Sequence, residues 1–179
     1  MGSKRLRALE WVGIAFGIIL GTLLHFTFAW SGENALVGLF SAVNESVWEH
    51  TKLLVTPIVL FGVCEWFREK KRRASILEAK ALELVVVIVF IIAFFYSYTG
   101  MFGIEANLGI DIASFVVAVV LGKWVSGVWM RRSKTASVLR TALAGSVVGA
   151  VLCMQIGFTI APPDIPLFQE VEHSDTEHE

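Results

Sequence analysis

The chain has 179 residues, of which 55% are hydrophobic and only 17% charged, and its formal net charge is −1. An ordinary soluble domain is about half apolar and about a quarter charged, so this chain is poor in charge. Its mean hydropathy is +0.68, and the charged residues are missing from long stretches of the sequence. The composition therefore excludes a large soluble domain and leaves room for one compact membrane bundle.

Five segments are long and apolar enough to cross a membrane as helices. A spanning helix needs about 20 mainly apolar residues, because its backbone N–H and C=O groups cannot bond to water inside the bilayer. The sequence predicts an all-α integral membrane protein, with one five-transmembrane-helix domain over residues 1–161. In chain order the predicted helices are residues 8–30, 47–67, 81–99, 108–130 and 137–161.

The first segment has one alternative interpretation, as a signal peptide that starts with basic residues. Its apolar run is too long and no clear small-residue cleavage site follows it, so we expect it to remain as a helix. The first and fifth helices also carry small residues at every fourth position, Gly13, Gly17 and Gly21 in one and Gly145, Gly149 and Cys153 in the other. Such faces let helix backbones approach closely, either within the bundle or in a homodimer.

Charged residues at the helix ends predict how the chain is oriented. The basic residues gather before the first helix, after the second and after the fourth: Lys4, Arg5, Arg7, Arg68, Lys70, Lys71, Arg72, Arg73, Lys80, Arg131, Arg132, Lys134 and Arg140. The opposite loops, 31–46 and 100–107, contain acidic residues but no Lys or Arg. Because basic loops stay in the cytoplasm, we expect a cytoplasmic N-terminus and an extracytoplasmic C-terminus.

Two charged segments lie outside the predicted spans. The basic residues of 68–80 are expected to extend the helix along anionic lipid headgroups, and nucleic-acid binding is the alternative that we do not expect. Residues 162–179 begin with prolines that end the fifth helix and continue as an acidic stretch with His173 and His178. A solvated extracytoplasmic tail is the favoured interpretation, and a metal-binding tail is the alternative.

Polar side chains at membrane depth are costly to bury, and most of them fall in the outer half of the predicted bundle. They predict an outward-facing pocket that binds an ion, a proton or a lipid headgroup. Its candidate residues come from the first, second, fourth and fifth helices and the loop before the second: His25, Glu45, Glu49, His50, Asp111 and Gln155. In the inner half, Glu65, Glu83 and Lys123 are expected near enough to the interface to reach basic neighbours or headgroups.

A metal such as zinc is a less favoured occupant of this pocket, with His25, Glu49 and Asp111 as the candidate ligands. Glu49 and His50 are adjacent and point about 100° apart on a helix, so one ion is not expected to bind both. Glu49 also has a purely structural interpretation. Ser46-x-x-Glu49 is a capping box that would begin the second helix, and Glu49 and Lys52 are spaced as an ordinary ion pair.

The segment from Gly38 to Leu54 contains the block Asn-Glu-Ser-Val-Trp-Glu-His at residues 44–50. With Gly109-Ile-Asp111 and the segment from Pro162 to Phe168, it resembles an uncharacterised family of small bacterial multi-pass membrane proteins, a domain of unknown function. The resemblance covers most of the chain and implies a bacterial plasma-membrane location. It implies nothing about chemistry, and the acidic sequence after Phe168 departs from it.

Three classes of function remain open from the sequence. The first is a binding or transport protein that uses the outward-facing polar pocket. The second is a membrane-embedded hydrolase that uses a metal, or a carboxylate and a histidine as acid and base. The third is an interaction protein in which the polar residues serve only helix packing. Transport proteins commonly place polar groups near the bilayer midplane or contain an internal repeat, and neither is evident here.

Overall fold

The computed structural model describes residues 3–103, 106–133, 135 and 137–171, and these residues contain helices but no strand. The α-helices are α1 Ser3–Trp30, α2 Ala35–Gly38, α3 Val47–Arg68, α4 Arg73–Tyr96, α5 Leu108–Arg132 and α6 Val138–Ile160. A π-helical turn, Ser97–Met101, continues α4, and short 3-10 turns precede α4 and follow α6. The prediction of an all-helical chain is confirmed.

Four of the helices in the described residues are long and apolar enough to cross a membrane. They are Arg7–Trp30, Val47–Arg68, Leu108–Arg132 and Val138–Ile160. The remaining predicted span, residues 81–99, lies largely in α4, whose first half carries Glu78, Lys80 and Glu83. The chain thus has the character of a membrane protein, while the count of five spans stays a prediction.

Helix α4 begins at Arg73, eight residues before the predicted position at residue 81. Its first two turns pack inward, because Ile76 and Ala79 form a buried cluster with Met130 of α5. Lys80 is also buried, with only 7% of its surface exposed. The expectation that Lys80 lies among lipid headgroups is therefore wrong for this residue, since tertiary packing of the apolar side chains draws it into the bundle.

The apolar core lies around α4, which packs against α3, α5 and α6, while α1 packs against α3 and α5. Leu84 and Val87 of α4 have no exposed surface. Their partners in the core come from the other three helices in contact with α4: Leu54, Val55, Ile58, Ala118, Val119 and Val151. Burying a side chain of this size stabilises a fold by about 1.5–3 kcal/mol in water, and by close packing rather than dehydration where the surroundings are lipid.

The two glycine-rich faces behave differently. A Cβ atom at Gly17 would lie 3.1 Å from Val119, and one at Gly21 would lie 2.6 Å from the Leu53 carbonyl oxygen. The α1 face is therefore a packing seam, as predicted. A Cβ atom at Gly149 would meet nothing within 4 Å. One at Gly145 would lie at ordinary contact distance, 3.8 Å, from Leu77. Among the described residues, the α6 face is therefore not a seam at Gly149, and the homodimer alternative for it remains a prediction.

The segment after α6 folds back onto the bundle, while most of residues 162–171 remain exposed. The Phe168 ring lies 5.4 Å from the Trp48 ring and 5.0 Å from the Phe158 ring, measured between centroids. Glu170 forms an antiparallel bridge with Ser46. The aromatic contacts anchor residues 162–171, and the predictions for His173 and His178 lie outside the described residues.

Candidate functional site

Two histidines and a glutamate meet at one end of the bundle. His25 lies near the end of α1, Glu45 in the loop before α3, and His50 in the first turn of α3. One ligand atom from each of the three residues lies within 4.8 Å of the other two. We call these three residues the histidine–glutamate cluster.

The individual distances show that Glu45 lies between the two histidines. Its Oε1 atom is 3.8 Å from His25 Nε2, and its Oε2 atom is 3.4 Å from His50 Nε2. The two imidazole rings are 5.4 Å apart between centroids. The side chains are 28%, 51% and 30% exposed for His25, Glu45 and His50, so the cluster is open on one side.

The backbone of α3 fixes the orientation of the His50 ring. His50 Nδ1 lies 2.9 Å from the Ser46 carbonyl oxygen, and this oxygen can only accept, so Nδ1 carries the proton. In the neutral ring Nε2 then has a lone pair, and it faces a carboxylate oxygen of Glu45. Two acceptors attract each other only through a shared cation, which is either a proton or a metal ion. A histidine held in this way through its other nitrogen is typical of metal ligands.

Glu49 does not join the cluster. Its Oε2 atom accepts hydrogen bonds from the Val43 backbone N–H at 2.9 Å and from Lys52 Nζ at 2.6 Å. Lys52 also donates to the Gly38 carbonyl oxygen at 2.8 Å, and the Ser46 hydroxyl accepts from the Glu49 N–H at the start of α3. The structural interpretation of Glu49 therefore matches the geometry. The buried pair ties the loop before α3 to the helix and so positions Glu45.

Asp111 lies at the edge of the cluster. It accepts a hydrogen bond of 2.7 Å from the Tyr98 hydroxyl, and its carboxylate acts electrostatically on His50. Asn107 caps α5 by accepting from the Ile110 N–H at 3.1 Å, which sets Asp111 in the first turn. Asp111 therefore adds negative potential beside the histidines and is bonded to Tyr98.

Gln155 is buried and bonded to α3, through a hydrogen bond of 2.8 Å from its Nε2 atom to the Thr51 hydroxyl. The contact links α6 to α3 at the residue that follows His50 of the cluster. Of the six residues predicted to form the pocket, the structure thus gathers His25, Glu45 and His50. It places Asp111 beside them, and it gives Glu49 and Gln155 contacts of their own.

The folded-back C-terminal segment reaches the backbone of this cluster. The Val171 N–H donates to the Glu45 carbonyl oxygen at 3.4 Å, next to the bridge between Ser46 and Glu170. This contact holds the main chain of a cluster residue from the far end of the sequence. The prolines that end α6 made the segment look like a separate tail, and only the aromatic Phe168 signalled that it could pack.

A second group of charges, which the sequence did not identify as a site, lies inside the bundle near the basic helix ends. Glu83 of α4 bridges two lysines, with Oε2 2.9 Å from Lys80 and Oε1 2.8 Å from Lys123. Lys80 also pairs with Glu65 of α3 at 2.9 Å. The sequence predicts that Glu65, Glu83 and Lys123 reach basic neighbours or headgroups, and both glutamates contact basic neighbours, Lys80 and Lys123. We call these four residues the ion-pair network.

The sequence pattern of a family of unknown function, DUF6512, matches residues 3–174. The chain belongs to this family. No curated protein and no solved structure is significantly similar to the chain. Membership of DUF6512 agrees with the resemblance to an uncharacterised family and assigns no activity.

Proposed function

We propose that this protein is an integral membrane protein that binds a divalent transition metal, of which Zn²⁺ fits best, through His25, Glu45 and His50. The observation that carries the proposal is the convergence of the three ligand atoms within 4.8 Å. They come from a helix end, a loop and a helix start, so no local sequence pattern brings them together. This proposal refines the predicted ion-binding pocket by replacing Glu49 and Asp111 with Glu45 and His50 as ligands.

The spacing of the ligand atoms supports zinc. Zinc binds histidine nitrogen and carboxylate oxygen at roughly 2.0–2.2 Å in a tetrahedral arrangement, which places neighbouring ligand atoms about 3.4 Å apart. The distance from Glu45 Oε2 to His50 Nε2 is 3.4 Å, and that from Glu45 Oε1 to His25 Nε2 is 3.8 Å. A zinc ion bound by one oxygen of Glu45 therefore requires the side chains to move closer together from their separation of up to 4.8 Å.

The ligand chemistry also favours a transition metal. Two imidazoles and one carboxylate suit zinc and its neighbours, whereas Mg²⁺ and Ca²⁺ prefer oxygen ligands alone. Three protein ligands leave a fourth position on the metal for water or another molecule. That open position, together with the exposed side of the cluster, keeps a metal-dependent hydrolase as the second candidate function. A hydrolase would use the metal to activate the bound water.

For the surroundings of the site, we propose that α4 also spans the membrane, which gives five spans, with a cytoplasmic N-terminus and a location in a bacterial plasma membrane. The charge distribution supports this orientation, because the basic residues gather at the helix ends far from the cluster. It puts the cluster on the extracytoplasmic side and the arginines after α3 and α5 among anionic headgroups. A reporter active only in the cytoplasm, fused after Glu179, should give no signal, and a strong signal there would refute the topology.

The metal proposal is tested by measuring zinc binding to the purified protein in detergent after treatment with a chelator. We expect one zinc per chain in the wild type and none in the triple variant His25→Ala/Glu45→Gln/His50→Ala. The control is Asp164→Asn, which removes an exposed carboxylate in the segment after α6 and should bind like the wild type. Equal binding by the wild type and the triple variant would refute the proposal.

A further inference from the structure

The ion-pair network lies about 22 Å from the histidine–glutamate cluster along α3, by the helical rise from residue 50 to residue 65. Exposure of the network side chains is 9% for Lys80, 1% for Glu83, 5% for Lys123 and 18% for Glu65. Two lysines and two glutamates balance to zero net charge when all four are ionised. Ionisable groups that are buried this deeply in a membrane bundle are costly and commonly serve a function.

The two lysines are bound unequally. Lys80 Nζ has a carboxylate oxygen at 2.9 Å on each of two residues, Glu65 and Glu83. Lys123 Nζ has a single carboxylate neighbour at 2.8 Å, Glu83, and among the described residues no acceptor is aligned for a hydrogen bond to it. The ammonium group also lies over the Phe61 ring, whose centroid is 4.5 Å away. Lys123 is therefore the less firmly held of the two ammonium groups.

A small cavity adjoins Lys123 on the side of the basic helix ends. It has a volume of about 20 Å³, and its polar lining includes Glu10, Glu65, Lys80 and Ser126. A cavity needs roughly 10–15 Å³ to hold one water molecule, and that water needs polar partners. On the other side of Lys123, a cavity of about 10 Å³ has a mostly apolar lining that includes Val119 and Ile58. Water can therefore approach Lys123 from one side.

We propose that the ion-pair network is a proton-binding site inside the bundle and that Lys123 is the residue that exchanges its proton with water in the adjoining cavity. The ammonium group of Lys123 transfers one proton to the water, which becomes hydronium, and the network changes from zero net charge to −1. Glu83 stays compensated by Lys80 in that state. The charged groups that face Lys123 are Glu83 and Lys80 of α4, Glu65 of α3, and Glu10 of α1, which pairs with Arg131.

Lys52 provides a matched control within the same chain. It is as deeply buried as Lys123, with 1% of its surface exposed against 4%. Its ammonium group donates to Glu49 and to the Gly38 and Ser41 carbonyl oxygens, and it lines neither of the two cavities beside Lys123. The two lysines thus differ in bonding and in access to the cavity rather than in depth.

The test measures exchange of the lysine ammonium protons with water by NMR, on full-length protein labelled with ¹⁵N-lysine in detergent. The Lys123 signal is assigned through its contact with the Phe61 ring and through Lys123→Arg. We expect the Lys123 protons to exchange on the order of tenfold faster than those of Lys52. Equal or slower exchange at Lys123 would overturn the proposal.

A second variant tests the route of the water. Ser126→Val should narrow the cavity and replace a polar partner of the water, slowing exchange at Lys123 by about tenfold. Exchange at Lys52 should not change, which also reports that the variant is folded. If Lys123 exchanges as fast in Ser126→Val as in the wild type, the cavity is not the route and the proposed site is wrong.

Discussion

The two polar groups of this bundle satisfy their charges in opposite ways. The ion-pair network contains its own counter-ions, since each carboxylate of Glu65 and Glu83 faces a lysine within 3 Å. The histidine–glutamate cluster directs imidazole nitrogens at a carboxylate, and the lysine of that end, Lys52, is bonded to Glu49. Under the proposed functions, the acceptors of the cluster bind a cation from outside, whereas the balanced network already contains its cations and exchanges only a proton with water. The comparison teaches that the balance of charge within a polar group indicates which ion the group can exchange.

The largest effect, a loss of folding stability, is expected for Glu83→Gln in the ion-pair network. Removing the shared carboxylate leaves Lys123 buried without its counter-ion, which costs about 3–5 kcal/mol of folding free energy. Thermal unfolding in detergent measures the loss. The double variant Glu83→Gln/Lys123→Met should recover part of it, because the uncompensated ammonium is gone as well. A double variant less stable than Glu83→Gln would show that the pair is not coupled.

The next largest effects distinguish the histidine–glutamate cluster from the Glu49–Lys52 pair beside it. His50→Ala should weaken zinc binding by at least about 100-fold, with little change in stability. That loss exceeds the one commonly seen when a residue that only hydrogen-bonds to a metal ligand is removed. Glu49→Gln should instead lower the melting temperature strongly and weaken zinc binding by at most about tenfold, because it breaks the buried pair with Lys52 that positions Glu45 but removes no ligand. Isothermal titration with zinc and melting temperatures on both variants distinguish them. If Glu49→Gln abolishes binding in a folded protein, Glu49 is a ligand.

A smaller effect compares the two glycine-rich faces. Gly17→Leu should cost about 1–3 kcal/mol, because its side chain would overlap Val119 and force α1 away from α5. The matched variant Gly149→Leu meets open space within the chain and should stay within about 0.5 kcal/mol of the wild type. Unfolding of both variants in detergent checks this. A large loss for Gly149→Leu in a dimeric protein would instead place α6 in a homodimer contact.

The smallest effect is expected at the C-terminal segment. Phe168→Ala removes the ring that packs on Trp48 and Phe158, costing about 1 kcal/mol of pairwise aromatic contact. Because this segment holds the Glu45 main chain, zinc affinity should also fall, by at most about tenfold. Ile165→Ala, at a half-exposed position in the same segment, is the control and should leave zinc affinity unchanged. An unaltered affinity in Phe168→Ala would show that the segment does not position Glu45.

The sequence predicts helices well and helix contacts poorly, for physical reasons. Long apolar runs force backbone groups to pair within each segment. Most helix ends could therefore be located to within a few residues. The depth of His25 and His50 follows from helical rise, which is why they were candidates. Their convergence with Glu45, rather than with Glu49, depends on how the helices rotate about their axes. That rotation is set by contacts between helices distant in the sequence.

The ion-pair network shows the same limit more sharply. Lys80 and Glu83 are spaced as an ion pair within one helix, and that much is visible in the sequence. Their partners Glu65 and Lys123 come from α3 and α5, and a charge near a helix end is equally compatible with a headgroup contact. The packing of Ile76 and Ala79 against α5 favours the ion pair over the headgroup contact, because it turns Lys80 inward.

The hydrogen bond from Val171 to Glu45 also sets an order of events during synthesis of the chain. His25, Glu45 and His50 are translated early, but the Glu45 main chain gains this contact only after α6 is in place and the chain beyond Phe168 has folded back. Nascent chains that are still being inserted therefore lack the finished cluster. Under the proposed function, a chain truncated before Val171 would lack this contact and would bind less metal, although every proposed ligand is present.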